Sequence, residues 1–162
     1  MEIKVDTTLI DDLLIQASLD GITKIVSGAF IFIDGRLLLL KRNNSDVYSG
    51  FIEISGGGIE HNENIYECLE REVKEETGLT VISIDSYISC FDYSSDESKY
   101  KDRRQFNFLV TVAPGDIKLN LDEHDEYYLV NILGETLGQL NLSSKMRNAI
   151  QELKDKMEQN NN

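Results

Sequence analysis

Two apolar runs, residues 25–33 and Leu37 to Leu40, flank the dipeptide Asp34-Gly35, and no other feature of the 162-residue sequence restricts its fold so tightly. Asp-Gly between apolar runs predicts a tight β-hairpin, because both turn residues must adopt left-handed backbone. Four consecutive leucines leave no polar face for water. They predict a strand covered on both sides, and so a sheet that lies between other elements.

The rest of the chain supplies those elements. Residues 7–19 place Leu9, Leu13 and Ala17 at helical spacing beside Ile10 and Leu14, with Asp6 or Thr7 as the cap and Gly21 as the stop. Residues 64–77 read as a second helix closed by Gly78. A third, capped by Ser143 or Ser144, carries Met146, Ile150, Leu153 and Met157 on one face. Residues 51–54, 81–91, 105–113 and 127–132 read as strands. In the second of these, Ile82, Ile84, Ile88 and Cys90 share a side. Residues 43–50 and 92–102 read as polar loops. The mixture predicts an α/β fold with a mixed sheet between helices. Residues 1–22 are expected to form an N-terminal helical extension, 23–159 one domain and 160–162 a frayed tail. The extension serves either as an arm in a homodimer or as a lid on the core.

A formal net charge of -13 repels polyanions and argues against a general nucleic-acid-binding role. No apolar run is long enough to span a membrane, and residues 1–6 lack a secretory pattern. The two cysteines, Cys68 and Cys90, form no motif, which suits a reducing cytoplasm.

The second helix is unusual in where its acids fall. On a wheel of about 100° per residue, Ile65, Cys68, Leu69 and Val73 make the core face, and Glu67, Glu70 and Lys74 face water. Glu72, Glu75 and Glu76 lie within an arc of about 100° that overlaps the core face. Three inward carboxylates repel one another and lose hydration, so a cation is expected between them. Mg²⁺ or Mn²⁺ suits carboxylate oxygens and phosphates. An acidic helix whose carboxylates splay outward and bind Ca²⁺ or nothing is the plainer alternative. Gly56-Gly57-Gly58, read as a tight turn leading into this helix, favours a ligand site, because glycine lets backbone approach a ligand closely.

These residues resemble the Nudix box. Gly57 and Glu63 are separated by five residues and Glu63 and Arg71 by seven, followed by Glu72, Val73, Glu75, Glu76, Gly78 and Leu79 at the family's spacing. Two departures are visible. Ser55 stands where members often carry proline, and Asn62 where they often carry glycine, though asparagine tolerates left-handed backbone. Neither is expected to touch a metal position.

The resemblance implies an α/β/α sandwich and hydrolysis of a nucleoside diphosphate linked to a further group. Glu72, Glu75, Glu76 and the carbonyl of Gly56 would hold the cation, and Arg71 would pair with Glu63. Gly57, Glu63 and Gly78 would shape the box. The base that activates water is Glu72, or Glu123 or Glu126 in the acidic segment 123–126. His124 is expected to be structural or exposed. The basic stretch Lys99, Lys101, Arg103 and Arg104 either steers phosphates or protects a sheet edge. Tyr48, Tyr93, Tyr100 or Phe106 would stack on a base. A proline that ADP-ribose-cleaving members carry beyond the box is absent at Ser94-Ser95, so a nucleoside triphosphate cut to monophosphate and pyrophosphate is the preferred substrate. A non-catalytic nucleotide-binding module of the same fold is the rival reading, and would be expected to have lost box acids.

Overall fold

A computed structural model describes residues 1–44, 49–94 and 101–160. Tyr48, Lys99, Tyr100 and the last two residues of the expected tail lie outside the described residues. The elements in chain order are β1 (Glu2–Ile3), α1 (Thr7–Leu19), β2 (Lys24–Ile33), β3 (Arg36–Arg42), β4 (Ile52–Glu53), β5 (Ser55–Gly58), α2 (Ile65–Thr77), β6 (Val81–Tyr93), β7 (Arg103–Val112), β8 (His124–Val130), α3 (Thr136–Gln139) and α4 (Ser144–Asn160). The eight strands form one mixed sheet, ordered β1-β6-β7-β2-β3-β4, with β5 also on β2 and β8 also on β3.

The hairpin forms as expected, with φ of 48° at Asp34 and 74° at Gly35. Its strands part at once. Only Phe32–Leu37 and Ile33–Arg36 pair, after which β3 turns to β8 and β2 runs between β7 (parallel) and β5 (antiparallel). The leucine run is covered on both faces. Leu38 and Leu40 join a core under α1 and α2 with Ile10, Ala17, Leu69 and Val73. Leu37 and Leu39 join a second core under α4 with Met146, Ile150 and Leu153. The architecture is therefore an α/β/α sandwich, and each leucine is at most 1% exposed.

Several boundaries and faces differ from expectation. Gly56-Gly57-Gly58 is not a turn but part of strand β5, paired with Val26 to Gly28. A Cβ on Gly56 would meet the Ser27 carbonyl oxygen at 2.2 Å, so only glycine lets these two strands lie so close. On β6 the expected single apolar side is broken. Three register shifts against β7 rotate the strand, so Ile84 enters the first core, Ile88 the second, and Ile82 faces solvent. On α1 the buried residues are Ile10 and Ala17, while Leu9 is exposed. Helix α4 continues through Asn160, one residue into the expected tail. No helix among the described residues is long and apolar enough to cross a membrane.

Candidate functional site

Helix α2 is fixed at both ends by its own sequence. Asn64 accepts from the backbone N–H groups of Tyr66 and Glu67, and the Glu67 carboxylate returns to the Asn64 N–H, a reciprocal capping box. Gly78 closes the helix at φ 72°. Asn62 takes φ 70°, the left-handed backbone expected of it. This anchoring sets the helix phase, with Ile65, Cys68, Leu69 and Val73 against the sheet.

The three box acids then occupy three environments. Glu76 is buried, 2% exposed; Glu72 is mostly covered, its side chain 12% exposed; Glu75 stands at the rim, 53% exposed, and so is less inward than the wheel places it. Glu76 Oε2 accepts from the Ser55 hydroxyl (2.5 Å) and the Gly56 N–H (2.9 Å). Ser55, expected to touch no metal position, donates to Glu76, one of the acids expected to hold a cation. Glu72 lies directly over Gly57, where a Cβ would stand 2.1 Å from its Oε1.

Arg71 organises the loop before the helix. It makes a two-point ion pair with Glu63 (3.1 and 2.6 Å), donates to the Gly58 carbonyl (3.2 Å), and reaches Glu72 (2.8 Å) and Glu75 (3.2 Å). The guanidinium beside Glu63 holds that carboxyl down at about 2. Burial pushes the Cys68 thiol up to about 11, which makes it an inert core group.

A turn after β7 adds two more groups. The Asn120 N–H donates to the Glu76 carbonyl, and the Asn120 carbonyl accepts from the N–H groups of Glu123 and His124. Asn120 Nδ2 also donates to Glu123 Oε1 (2.8 Å). The turn therefore hangs from the end of α2. It carries Glu123 close enough to Glu72 to be felt electrostatically, and buries His124 beside Glu53 and Glu76. Burial first, and then neighbouring acids, raise the proton affinity of Glu72 and, much more strongly, of Glu76. Glu53 of β4, which periodicity does not single out, belongs to this group through its effect on Glu76.

Glu126 is not brought into the cluster. It lies on β8, where its carboxylate accepts from Tyr128 and faces Lys41. Arg104 is committed to Asp92 (2.6 and 2.9 Å) and Asp20 (2.9 Å). Phe106 is fully buried in the core and presents no face to a ligand. Arg103 and Tyr93 do line a cleft of about 430 Å³ beside the acids, together with Glu53, Arg42, Phe91 and Lys145.

Among the described residues, no group of three or more Asp, Glu, His or Cys side chains is gathered to hold a metal ion. Glu72 and Glu75 are turned onto Arg71 instead. The donor set nonetheless fits a hard divalent cation. Its ligating atoms are carboxylate oxygens, Glu76 Oε1 accepts no hydrogen bond among the described residues, and the acids raise one another's proton affinity where they meet.

A family model described as the NUDIX domain matches residues 23–151. The nucleoside triphosphatase NudI of Salmonella agona is 35% identical over 120 residues, 69% of this chain and 84% of that protein. The ADP-ribose pyrophosphatase of Methanocaldococcus jannaschii is 31% identical over 101 residues, 62% of this chain and 58% of that protein, so the match spans little more than half of its length. The crystal structure of a MutT NUDIX hydrolase from Burkholderia pseudomallei shares the fold with a TM-score of 0.68 at 22% identity, over 80% of this chain and 96% of that one.

Proposed function

The chain belongs to the NUDIX family, and from that premise we propose that it is a divalent-cation-dependent hydrolase that cuts a nucleoside triphosphate into monophosphate and pyrophosphate. The observation that carries this reading is the acid face: Glu72 and Glu76, with Glu53 and Glu123 beside them, are held where burial and mutual repulsion oppose their ionisation. Such an arrangement is costly without a cation and suited to one. Glu72, Glu75, Glu76 and the Gly56 carbonyl are the groups that would hold Mg²⁺ or Mn²⁺. When bound, the cation supplies charge neutralisation at the diphosphate and a more acidic water.

The chain's own residues do the rest. Arg71, tied to Glu63 and Gly58, fixes the loop against the helix. Glu123 is favoured over Glu126 as the group that takes the proton from the attacking water, because Glu123 lies beside Glu72 and Glu126 is held by Tyr128 and Lys41. The cleft offers Tyr93 and Phe91 as aromatic surface for a base, next to the acid face through Glu53. The kept box acids weigh against the non-catalytic module. A triphosphate is preferred because the nucleoside triphosphatase relative is covered over most of its length.

A panel of nucleoside triphosphates, dinucleotides and nucleotide sugars incubated with Mg²⁺ in ¹⁸O-water tests the reading. The expected products are unlabelled pyrophosphate and a labelled nucleoside monophosphate, with turnover abolished by EDTA. Undiminished turnover after metal stripping overturns the cation dependence. Preferential cleavage of ADP-ribose over every triphosphate overturns the substrate.

A further inference from the structure

His124 is a titratable side chain buried beside the acids, 1% exposed, and nothing in the box accounts for it. Its Nε2 lies 3.3 Å from Glu53 Oε1 and 3.9 Å from Glu76 Oε1. We propose that His124 is a positioning residue that fixes the Glu53 and Glu76 carboxylates for a divalent cation, an inference that rests on the cation-dependent reading above.

Each carboxylate is held from two sides. Glu76 has its Oε2 on Ser55 and Gly56, which aims Oε1 toward His124. Glu53 Oε1 forms an ion pair with Arg42 Nε (2.8 Å) and faces the imidazole. Two acids that face one imidazole repel, which pushes the half-buried Glu53 outward against its Arg42 pair. An Nε2–H shared toward both oxygens opposes that movement. The 3.3 Å approach is a long hydrogen bond and the 3.9 Å one is electrostatic only, so Glu53 is the group directly gripped.

The ring is itself rigidly presented. Its backbone N–H is held by the Asn120 carbonyl, and the Asn120 N–H by the Glu76 carbonyl, so imidazole and Glu76 are tied through one short turn. The other ring nitrogen, Nδ1, is buried with no hydrogen-bond partner. An orphaned polar atom of this kind costs stability, and an apolar residue of similar volume would avoid it. A purely space-filling role therefore does not explain a histidine here, whereas an Nε2 donor toward the acids does. Residues that orient metal ligands in this way affect cation affinity more than fold.

Calorimetric titration of the full chain with Mn²⁺ alone tests the inference without relying on turnover. His124→Leu removes the donor and keeps the volume. His124→Asn ends its amide near the position of Nδ1, short of Glu53. His124→Gln reaches the position of Nε2. The Leu and Asn variants are expected to weaken the Mn²⁺ Kd roughly tenfold or more, and Gln to restore most of that loss. Thermal unfolding of the cation-free proteins should show no matching loss of stability in the Leu variant. Should the Leu variant not fold, the Asn–Gln comparison decides alone. Wild-type affinity in the Asn variant, or equal weakening in Asn and Gln, overturns the proposal. A wild-type chain that binds no Mn²⁺ overturns both this inference and the hydrolase reading, whereas normal wild-type binding with an indifferent Asn variant overturns this inference only.

Discussion

At the scale of single residues the site is a set of carboxylates kept under strain, and the strain has measurable consequences. Glu76 is buried with its proton affinity raised, first by desolvation. A raised carboxyl lends stability only below its unfolded value and takes it away as pH rises through the folded one. Above the ordinary carboxylate range the buried Glu76 carboxyl is thus a burden on the cation-free fold, because the unfolded chain ionises it more readily. Glu76→Gln is expected to lower turnover at least about a hundredfold, several kcal/mol of lost charge stabilisation, while the cation-free melting temperature stays level or rises. Glu70→Gln, on the outward side of α2, should be near normal in both measurements. Equal loss of turnover in both variants would mean that the acid face is wrongly assigned. Glu63 has the opposite sign. Its carboxyl is held from 4.5 down to about 2, first by the bond from Arg71. That stability is present above about pH 4.5 and lost as pH falls toward 2, and amounts to roughly 3 kcal/mol at most. Denaturant titrations of wild type and Glu63→Gln should therefore differ at pH 7 and converge toward pH 2. A constant gap across that range would show that the Arg71 pair adds nothing.

At the scale of elements, the extent and core face of α2 are legible in the sequence because its signals are local. Asn64, Gly78 and the 3.6-residue spacing of Ile65, Leu69 and Val73 act within a turn or two. Strand β5 was not legible, because three glycines look like a turn unless the partner strand is known. What makes them a strand is Ser27 and Gly28 across the ladder, some thirty residues earlier. The faces of β6 were hidden for a related reason: bulges are a property of the pairing with β7, and periodicity assumes there are none. The glycines of β5 separate fold from function. On Gly56 a methyl group would strike the Ser27 backbone, which cannot yield without breaking the ladder. On Gly57 it would strike the Glu72 carboxylate, the mobile end of a side chain. Gly56→Ala should therefore lower the melting temperature by several degrees, a cost of roughly 1–3 kcal/mol. Gly57→Ala should melt close to wild type and lose most of its turnover through displaced Glu72. The reverse ranking in calorimetry and activity would refute this division of labour.

At the scale of the whole molecule, the sandwich was readable from the leucine run and the helix count, but the strand order was not. The parallel β2–β7 pair and the early parting of β2 from β3 depend on contacts remote in sequence. The same remoteness explains why the sequence does not single out Glu53 and does not separate Glu126 from Glu123: spacing along the chain does not reveal which of two nearby acids the turn at Asn120 aims at α2. Net charge, in contrast, is fully legible and acts over the entire surface. A chain of formal charge -13 meets a substrate that stays anionic even with one cation bound. Of the basic side chains that would offset this, Arg104 is spent on Asp92 and Asp20, and Arg71 on box acids. Lys41 is likewise paired with Asp125 and Glu126, and Arg103 and Lys145, which line the cleft, are too few to reverse the field beyond it. Long-range repulsion should slow encounter, and salt should relieve it, since the screening length falls to about 10 Å at 0.1 M. With free Mg²⁺ held saturating, kcat/KM is therefore expected to rise on the order of twofold to fivefold as ionic strength goes from about 0.02 to about 0.2 M. A steady fall over that range would mean that the cleft's own cations govern encounter and that net charge is the wrong scale at which to read this enzyme's association with nucleotides.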